Sequence, residues 1–353
     1  MYQHYLVTGA TGFLGRTLVS EMDRRGMNVS ALVMKSDPFV AGLPDGVSVF
    51  YGDVSDKASM RPFFESGGEN FCVIHCAGII SIASAHDERI YRVNVGGTRN
   101  VAELCEAYHA SKLIYVSSVH AIPELSSGDI ITEPKRFSPS AVWGDYAKSK
   151  ASATQIMLEF ARRGLNASVV LPSGIIGPGD TARGNITEML LAFCKGRLPF
   201  GVRGGYDFAD VRDVADGILS CAEKGRIGEC YILSGHYSSI RNLLASAGSV
   251  IGRAKPPLCV PIGIARAVAP LSETISRIRK KKPFFTPYSI AVLASNGCFS
   301  HRKASCEFGY EPRSLDETLR DTVLWLSQFF DKNGATPFCG RRPGMTCSNL
   351  QNP

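Results

Sequence analysis

Tyr146 and Lys150 stand four residues apart in Tyr146-Ala147-Lys148-Ser149-Lys150, a stretch that continues with apolar residues at helical spacing: Ala153, Ile156, Met157, Phe160 and Ala161. Residues four apart share one helix face, so the ammonium can lie below the phenol. A tyrosine titrates near 10, and using its phenolate near neutral pH means lowering that by roughly 3 units, or about 4 kcal/mol. A lysine held beneath the ring in a closed site, helped by a second positive group, can supply such a field. Upstream, the β-prone run Lys112-Leu113-Ile114-Tyr115-Val116 ends at Ser117 and Ser118. A hydroxyl at that place can hold a substrate oxygen by a hydrogen bond while a proton moves.

A second cluster lies near the start, in Thr8-Gly9-Ala10-Thr11-Gly12-Phe13-Leu14-Gly15. The β-prone Tyr5-Leu6-Val7 precedes it, and Arg16 to Met22 repeats apolar residues at helical spacing. Strand, glycine turn and helix in that order form a phosphate-binding turn of the kind that dinucleotide sites require. Gly9 makes the sharp turn, Gly12 lets the backbone approach a pyrophosphate, and Gly15 lets the helix pack close on the strand. Thr11, Phe13 and Leu14 fall on the same turn and helix start, whose free amides face the anion. The glycines follow GxxGxxG, one residue wider than GxGxxG.

The elements that must hold these groups read as alternating strands and helices. Val29-Ser30-Ala31-Leu32-Val33 makes the second strand, and the residues after it choose the cofactor. An acid about twenty residues past the glycines suits the ribose 2′-hydroxyl of NAD. Here Lys35 suits a 2′-phosphate, which points to NADP, while Asp37 keeps NAD open. A third strand, Val47 to Tyr51, runs into Gly52-Asp53-Val54, where Asp53 can accept from an adenine and Val54 can pack on its ring. The buried-strand pattern Cys72-Val73-Ile74-His75 exits through Cys76, Ala77 and Gly78, small enough to admit a cofactor; His75 reads as a packed core histidine. Asn94 to Thr98 opens a helix, and Ala121 to Trp143 reads as a loop over the cleft. The sixth strand, Ala167 to Leu171, leads to Pro172 and Ser173, placed to lie near a nicotinamide.

The fold expected is α/β: a Rossmann-like doubly wound parallel sheet with a smaller, mainly helical C-terminal lobe. Residues 1–172, with 206–235 returning, form the dinucleotide-binding domain; 173–205 and 236–330 form the substrate-binding lobe; 331–353, rich in Pro, Gly and Asn, reads as a flexible tail.

Composition narrows the function. With 353 residues, 44% hydrophobic and 20% charged, the chain is neither disordered nor too short for a large core. A net charge of +7, partly concentrated in Arg277 to Lys282, does not imply nucleic-acid binding. Leu258 to Leu271 is too short and too interrupted for a membrane span. The start reads as a strand rather than a leader, which gives the expectation of a cytoplasmic protein. The eleven cysteines include no CxxC pair and read as reduced structural thiols, with no metal site.

Taken together, the glycine turn, Gly52-Asp53-Val54, His75-Cys76-Ala77, Asn94 to Thr98, Ser117-Ser118, and Tyr146 with Lys150 resemble the extended short-chain dehydrogenase/reductase family, of the NAD-dependent epimerase/dehydratase type. The resemblance covers about Tyr5 to Phe330. Asp207-Phe208-Ala209-Asp210-Val211 looks like that family's C-terminal segment, nearest the dihydroflavonol-reductase-like and 3-beta-hydroxysteroid-dehydrogenase-like branches. It departs at Gly78, where alanine is common. The resemblance implies that Ser118, Tyr146 and Lys150 are catalytic and that Asn94 supports them. The implied activity is hydride transfer between NADP or NAD and a carbonyl or secondary alcohol of a largely apolar small molecule, with a homodimer left open. Sugar-nucleotide enzymes of this type usually carry arginine where this chain has Tyr206. A nucleotide-sugar epimerase or dehydratase is the alternative; a catalytically silent dinucleotide sensor would typically lack the tyrosine or the lysine.

Overall fold

The computed structural model describes residues 2–331 except 126–127, 199, 254 and 279–285. The tail from 332 onward and most of the basic run 277–282 therefore lie outside the described residues. In the first half the strands are β1 (His4–Thr8), β2 (Val29–Val33), β3 (Ser48–Tyr51), β4 (Phe71–His75), β5 (Lys112–Val116) and β6 (Ala167–Pro172). Between them run helices α1 (Phe13–Arg24), α2 (Arg61–Glu65), α3 (Glu88–Tyr91), α4 (Thr98–Ala107) and α5 (Asp145–Arg162). The second half adds β7 (Gly174–Ile176), α6 (Asn185–Cys194), β8 (Gly201–Val202), β9 (Gly205–Asp210), α7 (Val211–Lys224), β10 (Cys230–Leu233), β11 (His236–Ser239), α8 (Ile240–Val250), β12 (Cys259–Val260), α9 (Ile262–Ile278), α10 (Pro287–Ala294), α11 (Arg302–Phe308) and α12 (Leu315–Asp331).

Seven strands form one sheet in the order β10-β6-β5-β4-β1-β2-β3, with every pairing parallel. Strands buried on both faces need mostly apolar residues, and β1, β4, β5 and β6 have them, with buried polar groups such as Lys112 hydrogen-bonded, its Nζ to Ser168 Oγ and Gly225 O. Successive residues feed opposite layers. Leu6, Val73, Leu113 and Val169 join a core with α4 and α5, while Val7, Ile74, Ile114 and Val170 join one with α1 and α7. This is the doubly wound α/β architecture expected.

Two expectations change. Within 206–235, expected to return to the first domain, β9 pairs with β11 and β7 in a separate three-stranded sheet. Only α7 and β10 go back, α7 against α1 and β10 as the seventh strand beside β6. The cause is the short Pro172-Ser173-Gly174 step, after which β7 turns aside and offers β9 an edge to pair with. The helix read as starting at Asn94 begins earlier, at Glu88, capped by the Asp87 side chain accepting from Arg89 N. It passes through a π-helical turn at Arg92–Gly97 before α4. Thr98 Oγ1 donates to Asn94 O at 2.6 Å inside that turn.

The segment 207–213 is a hub of buried acids. Asp207 Oδ1 accepts from Gly235 N, Asp210 caps α7 and pairs with Arg212, and Asp213 accepts from the Arg313 main chain and guanidinium. Burial pushes Asp207 up to about 6, opposed by the hydrogen bond it accepts from Gly235 N. The described cysteines are free thiols, five of them buried on central elements: Cys72, Cys105, Cys194, Cys221 and Cys230. Among the described residues no helix is long and apolar enough to cross a membrane.

Candidate active site at the carboxyl edge of the sheet

The glycine turn joins β1 to α1. Gly9 has φ +69°, and a Cβ there would lie 2.6 Å from Ala77 N, so glycine is required both by conformation and by β4's exit. A Cβ on Gly15 would lie 2.1 Å from Gly9 O, so helix and turn are in backbone contact. Gly12 differs. Its φ of −69° suits any residue, and a Cβ would meet only Gly9 O, at 3.3 Å, among the described residues. The chain itself has little need of glycine there, which fits a ligand approaching from outside. Gly12 is also the N-cap of α1, with no side-chain cap, so the first-turn amides of Phe13, Leu14 and Gly15 have no helical partner.

At β2's exit Lys35 is exposed, whereas Asp37 turns toward the glycines: its Oδ2 accepts from Thr11 Oγ1 at 2.5 Å and its Oδ1 from Phe39 N at 2.9 Å. Asp53 is half-buried after β3, its Oδ1 accepting from the amide and hydroxyl of Ser55. Val54 packs on Gly97, where a Cβ would lie 2.7 Å from its Cγ2. His75 is a packed core residue with both nitrogens used, Nδ1 with Thr8 Oγ1 at 2.7 Å and Nε2 with Thr98 Oγ1 at 3.1 Å. The Thr8 hydroxyl also accepts from Ala77 N, so β1 and the Cys76-Ala77-Gly78 exit are tied together.

Asn94 bridges that exit and α5. Its Oδ1 accepts from Ile79 N at 2.7 Å, and its Nδ2 donates to Ile79 O and to Ser149 Oγ, each at 3.0 Å. A Cβ on Gly78 would lie 3.2 Å from Asn94 Oδ1 and 3.5 Å from Lys150 Nζ, so the glycine at this departure gives both side chains room. Ser117 Oγ is committed to Thr154 Oγ1 at 2.7 Å, turned toward α5. Ser118 Oγ accepts from the His120 amide at 3.2 Å, which leaves its own proton to be given elsewhere. Pro172 and Ser173 are buried at the end of β6.

Tyr146 and Lys150 lie on the first turns of α5, both buried. The Lys150 ammonium donates to Val116 O at 2.8 Å and sits 5.1 Å from the Tyr115 ring centroid. Burial pulls it down to about 8. Burial also pushes Tyr146 up to about 12, with a hydrogen bond from Ser118 opposing it. In the protein alone desolvation prevails and the phenol keeps its proton near neutrality, in line with the expectation that the lysine needs a second positive group beside it. Such a site can donate a proton as it stands; accepting one requires an added positive charge beside the ring.

The Lys150 shift has a stability consequence. Unfolded, the ammonium holds its proton up to about 10.5; folded, it releases it near 8. Between these values the unfolded chain binds more protons, so folding gains as pH rises. Relative to Lys150→Met, the wild type is expected to gain about 3 kcal/mol between pH 7 and 10.5. Denaturant melts of both proteins across that range check it; parallel curves would show that the ammonium is not desolvated.

A cavity of about 590 Å³ adjoins these groups. Its wall includes Val119 and His120, the two residues after Ser118, and Ala147 and Lys148, the two after Tyr146. Ile122, Ile131, Val142, Trp143, Val292 and Phe299 supply apolar surface, and Tyr206 and Tyr288 supply hydroxyls. Gly144, with φ +88°, lets α10 close in: a Cβ there would lie 2.5 Å from Tyr288 Cε2. Other apolar residues of the second lobe do not line it: Leu190, Leu191, Phe193, Leu198 and Val202 are buried in the core, and Ile264 and Val268 are exposed on α9. His120 and Tyr288 escaped the sequence reading. His120 had a signal, its place two residues after Ser118; Tyr288 lies 142 positions beyond Tyr146 and had none.

The NAD dependent epimerase/dehydratase family model matches residues 5–234. The sterol demethylase protein B of Methylococcus capsulatus is 31% identical over 330 residues, covering 92% of this chain and 98% of that protein. A putative dihydroflavonol 4-reductase of Synechocystis is 29% identical over 328 residues, covering 91% and 94%. The crystal structure of gox2253 superimposes with a TM-score of 0.79 at 31% identity, over 94% of this chain and 99% of that one. The chain therefore belongs to the NAD dependent epimerase/dehydratase family, within the extended short-chain dehydrogenases/reductases.

Proposed function

We propose that the protein is an NAD(P)-dependent oxidoreductase acting on a carbonyl or secondary alcohol of a largely apolar, ring-type substrate. The observation that carries this is the cavity lined by the residues following Ser118 and Tyr146, with His120 in ring contact with Tyr146, and walled by aliphatic and aromatic side chains, with Tyr206 just before Asp207-Phe208. A nucleotide diphosphate needs fixed cations, because buried phosphate charges without partners are strongly unfavourable. Among the described residues the cavity wall offers Lys148, balanced by Glu124; Arg266 stands in a neighbouring pocket of about 350 Å³. The relatives named for sterol demethylation and dihydroflavonol reduction support the same reading.

In this reading residues 1–172 hold the dinucleotide, and 173–205 with 236–330 cover the substrate. Gly9, Thr11, Gly12, Phe13, Leu14 and Gly15 take the pyrophosphate, Asp53 and Val54 the adenine. Cys76, Ala77, Gly78, Asn94, Pro172, Ser173 and the main chain of Ser117 border the rest, with Tyr146 and Lys150 beside the nicotinamide ribose. When bound, the nicotinamide supplies or takes the hydride. Ser118 holds the substrate oxygen, and Tyr146 gives that oxygen its proton in reduction or takes it in oxidation. Lys150 keeps positive charge in the site, and Asn94 fixes α5 against the β4 exit.

Lys35 alone favours NADP, but the geometry of Asp37 favours NAD. A carboxylate fastened to Thr11 repels a 2′-phosphate and can accept from a 2′-hydroxyl. Asp37→Ser is expected to shift the NAD:NADP ratio of kcat/KM toward NADP by about tenfold or more. A wild type that already prefers NADP tenfold would instead make Lys35 the reader, with Lys35→Asp moving the preference to NAD. The function itself is tested by screening hydrophobic ketones, aldehydes and alcohols, steroids included, for hydride transfer. Turnover of a UDP- or dTDP-sugar, with none across the apolar panel, would transfer the protein to the epimerases and dehydratases.

A further inference from the structure

The cavity holds three side chains whose hydrogen bonds constrain one another. His120 Nε2 lies 3.1 Å from the Tyr206 hydroxyl, and its Nδ1 lies 3.3 Å from the Tyr288 hydroxyl. The imidazole stacks on Tyr206, with centroids 5.5 Å apart at 14°, and meets the Tyr146 ring edge to face at 5.8 Å. Both phenols are buried. Burial pulls the imidazole down to about 4 and raises both phenols above their ordinary value, so near neutrality all three are uncharged.

A neutral imidazole carries one N–H and one lone pair. One phenol must therefore give its proton to His120, while the other accepts from His120 and has its own proton to give elsewhere. Whichever tautomer forms, the trio has one hydroxyl donor left over, and both phenols line the cavity.

We propose that the His120–Tyr206–Tyr288 trio recognises a second oxygen on the substrate, a hydroxyl or carbonyl separate from the one at the reacting carbon. This rests on the oxidoreductase reading of the cavity. A neutral acceptor suits the trio better than an anion, because the trio is uncharged and Glu124 and Lys148 cancel at the cavity wall. A substrate presenting only hydrocarbon there leaves the spare hydroxyl buried without an acceptor, and that penalty rejects it. The His120 ring lies 5.8 Å from the Tyr146 ring, so a substrate with both oxygens on one fused ring system is the probe to use.

The test uses the full-length enzyme with trans-2-decalone and with 2-decalones carrying one hydroxyl at each ring position in turn. The quantity read is the ratio of kcat/KM between the best hydroxylated ketone and the bare one. It compares two substrates on the same folded molecules, so a partly misfolded variant does not distort it. The expected ratio is about ten in the wild type, near one when His120→Phe, Tyr206→Phe and Tyr288→Phe are combined, and intermediate in each single tyrosine variant, which keeps a donor. A wild-type ratio near one, or an equal ratio in the triple variant, overturns the inference while leaving the oxidoreductase reading standing. A carboxylated decalone preferred over the hydroxylated ones overturns the neutral acceptor. Failure of the enzyme on these decalones and on every other ketone and alcohol overturns the oxidoreductase reading, and the inference with it.

Discussion

Tyr146→Phe is expected to lower turnover by about 10³-fold while leaving dinucleotide affinity within about threefold. The substitution removes one oxygen from a buried ring that packs edge to face on His120, so the site keeps its shape and loses the proton it transfers. Steady-state kinetics with calorimetry on the same preparation separate the two effects, and near-normal turnover would reject the assignment. The pH profile adds a sign. The phenol stays protonated to about 12 in the protein alone, so reduction is expected to hold level from pH 6 to 8. Oxidation needs the phenolate, and its kcat/KM should climb with pH, by up to about tenfold per unit until the group titrates. Opposite slopes would mean that Tyr146 is not the group exchanging the proton.

Two glycine substitutions three residues apart are expected to fail in different ways. At Gly15 a side chain would collide with Gly9 O and come within 3.0 Å of Ala10 Cα, both backbone atoms that cannot swing aside. Gly15→Val should cost about 3 kcal/mol or more of stability. At Gly12 the φ is ordinary and a Cβ would make one tight contact, 3.3 Å from Gly9 O, so Gly12→Val should lose much less stability than Gly15→Val. Its isopropyl group would occupy the approach to the α1 amides and weaken dinucleotide binding by about 100-fold. Thermal melts and calorimetry of both variants check the contrast. A Gly12→Val protein that binds NAD or NADP like the wild type would falsify the pyrophosphate role of this turn.

What could be read in the linear chain follows the range of the forces involved. The central strands announce themselves because a strand covered on both faces is largely apolar, as Leu6-Val7 and Cys72-Val73-Ile74 are. Tyr146 and Lys150 were legible because their spacing is local to one helix. The place of β9 was not, since pairing with β7 or with β6 depends on where the chain turns at Ser173 and not on the composition of β9. Nor was the His120 trio, whose members lie 86 and 168 residues apart and meet only when the second lobe closes over the first. Lys35 illustrates a subtler limit: its charge is plain in the sequence, but which of Lys35 and Asp37 faces the glycine turn is a matter of loop direction. The same holds for the burial of the Tyr146 phenol, which raises it and which only the tertiary fold determines.

The ties between the chain's last segment and its middle bear on how the protein is made. Arg313 locks onto Asp213, the Tyr310 ring covers Gly217 and its hydroxyl donates to Ser234 O, and α11 and α12 pack on α7, β9 and β10. A ribosome that has delivered everything through β10 has produced a sheet whose outer strand and covering helix still lack their partners. Tyr231, Val214 and Leu233 remain accessible until the final thirty or so described residues emerge and dock. Contacts spanning about a hundred residues close slowly, because a long loop must be ordered before it is rewarded. Until they close, α7 and β10 present apolar surface to solvent, and a species of that kind is prone to aggregate.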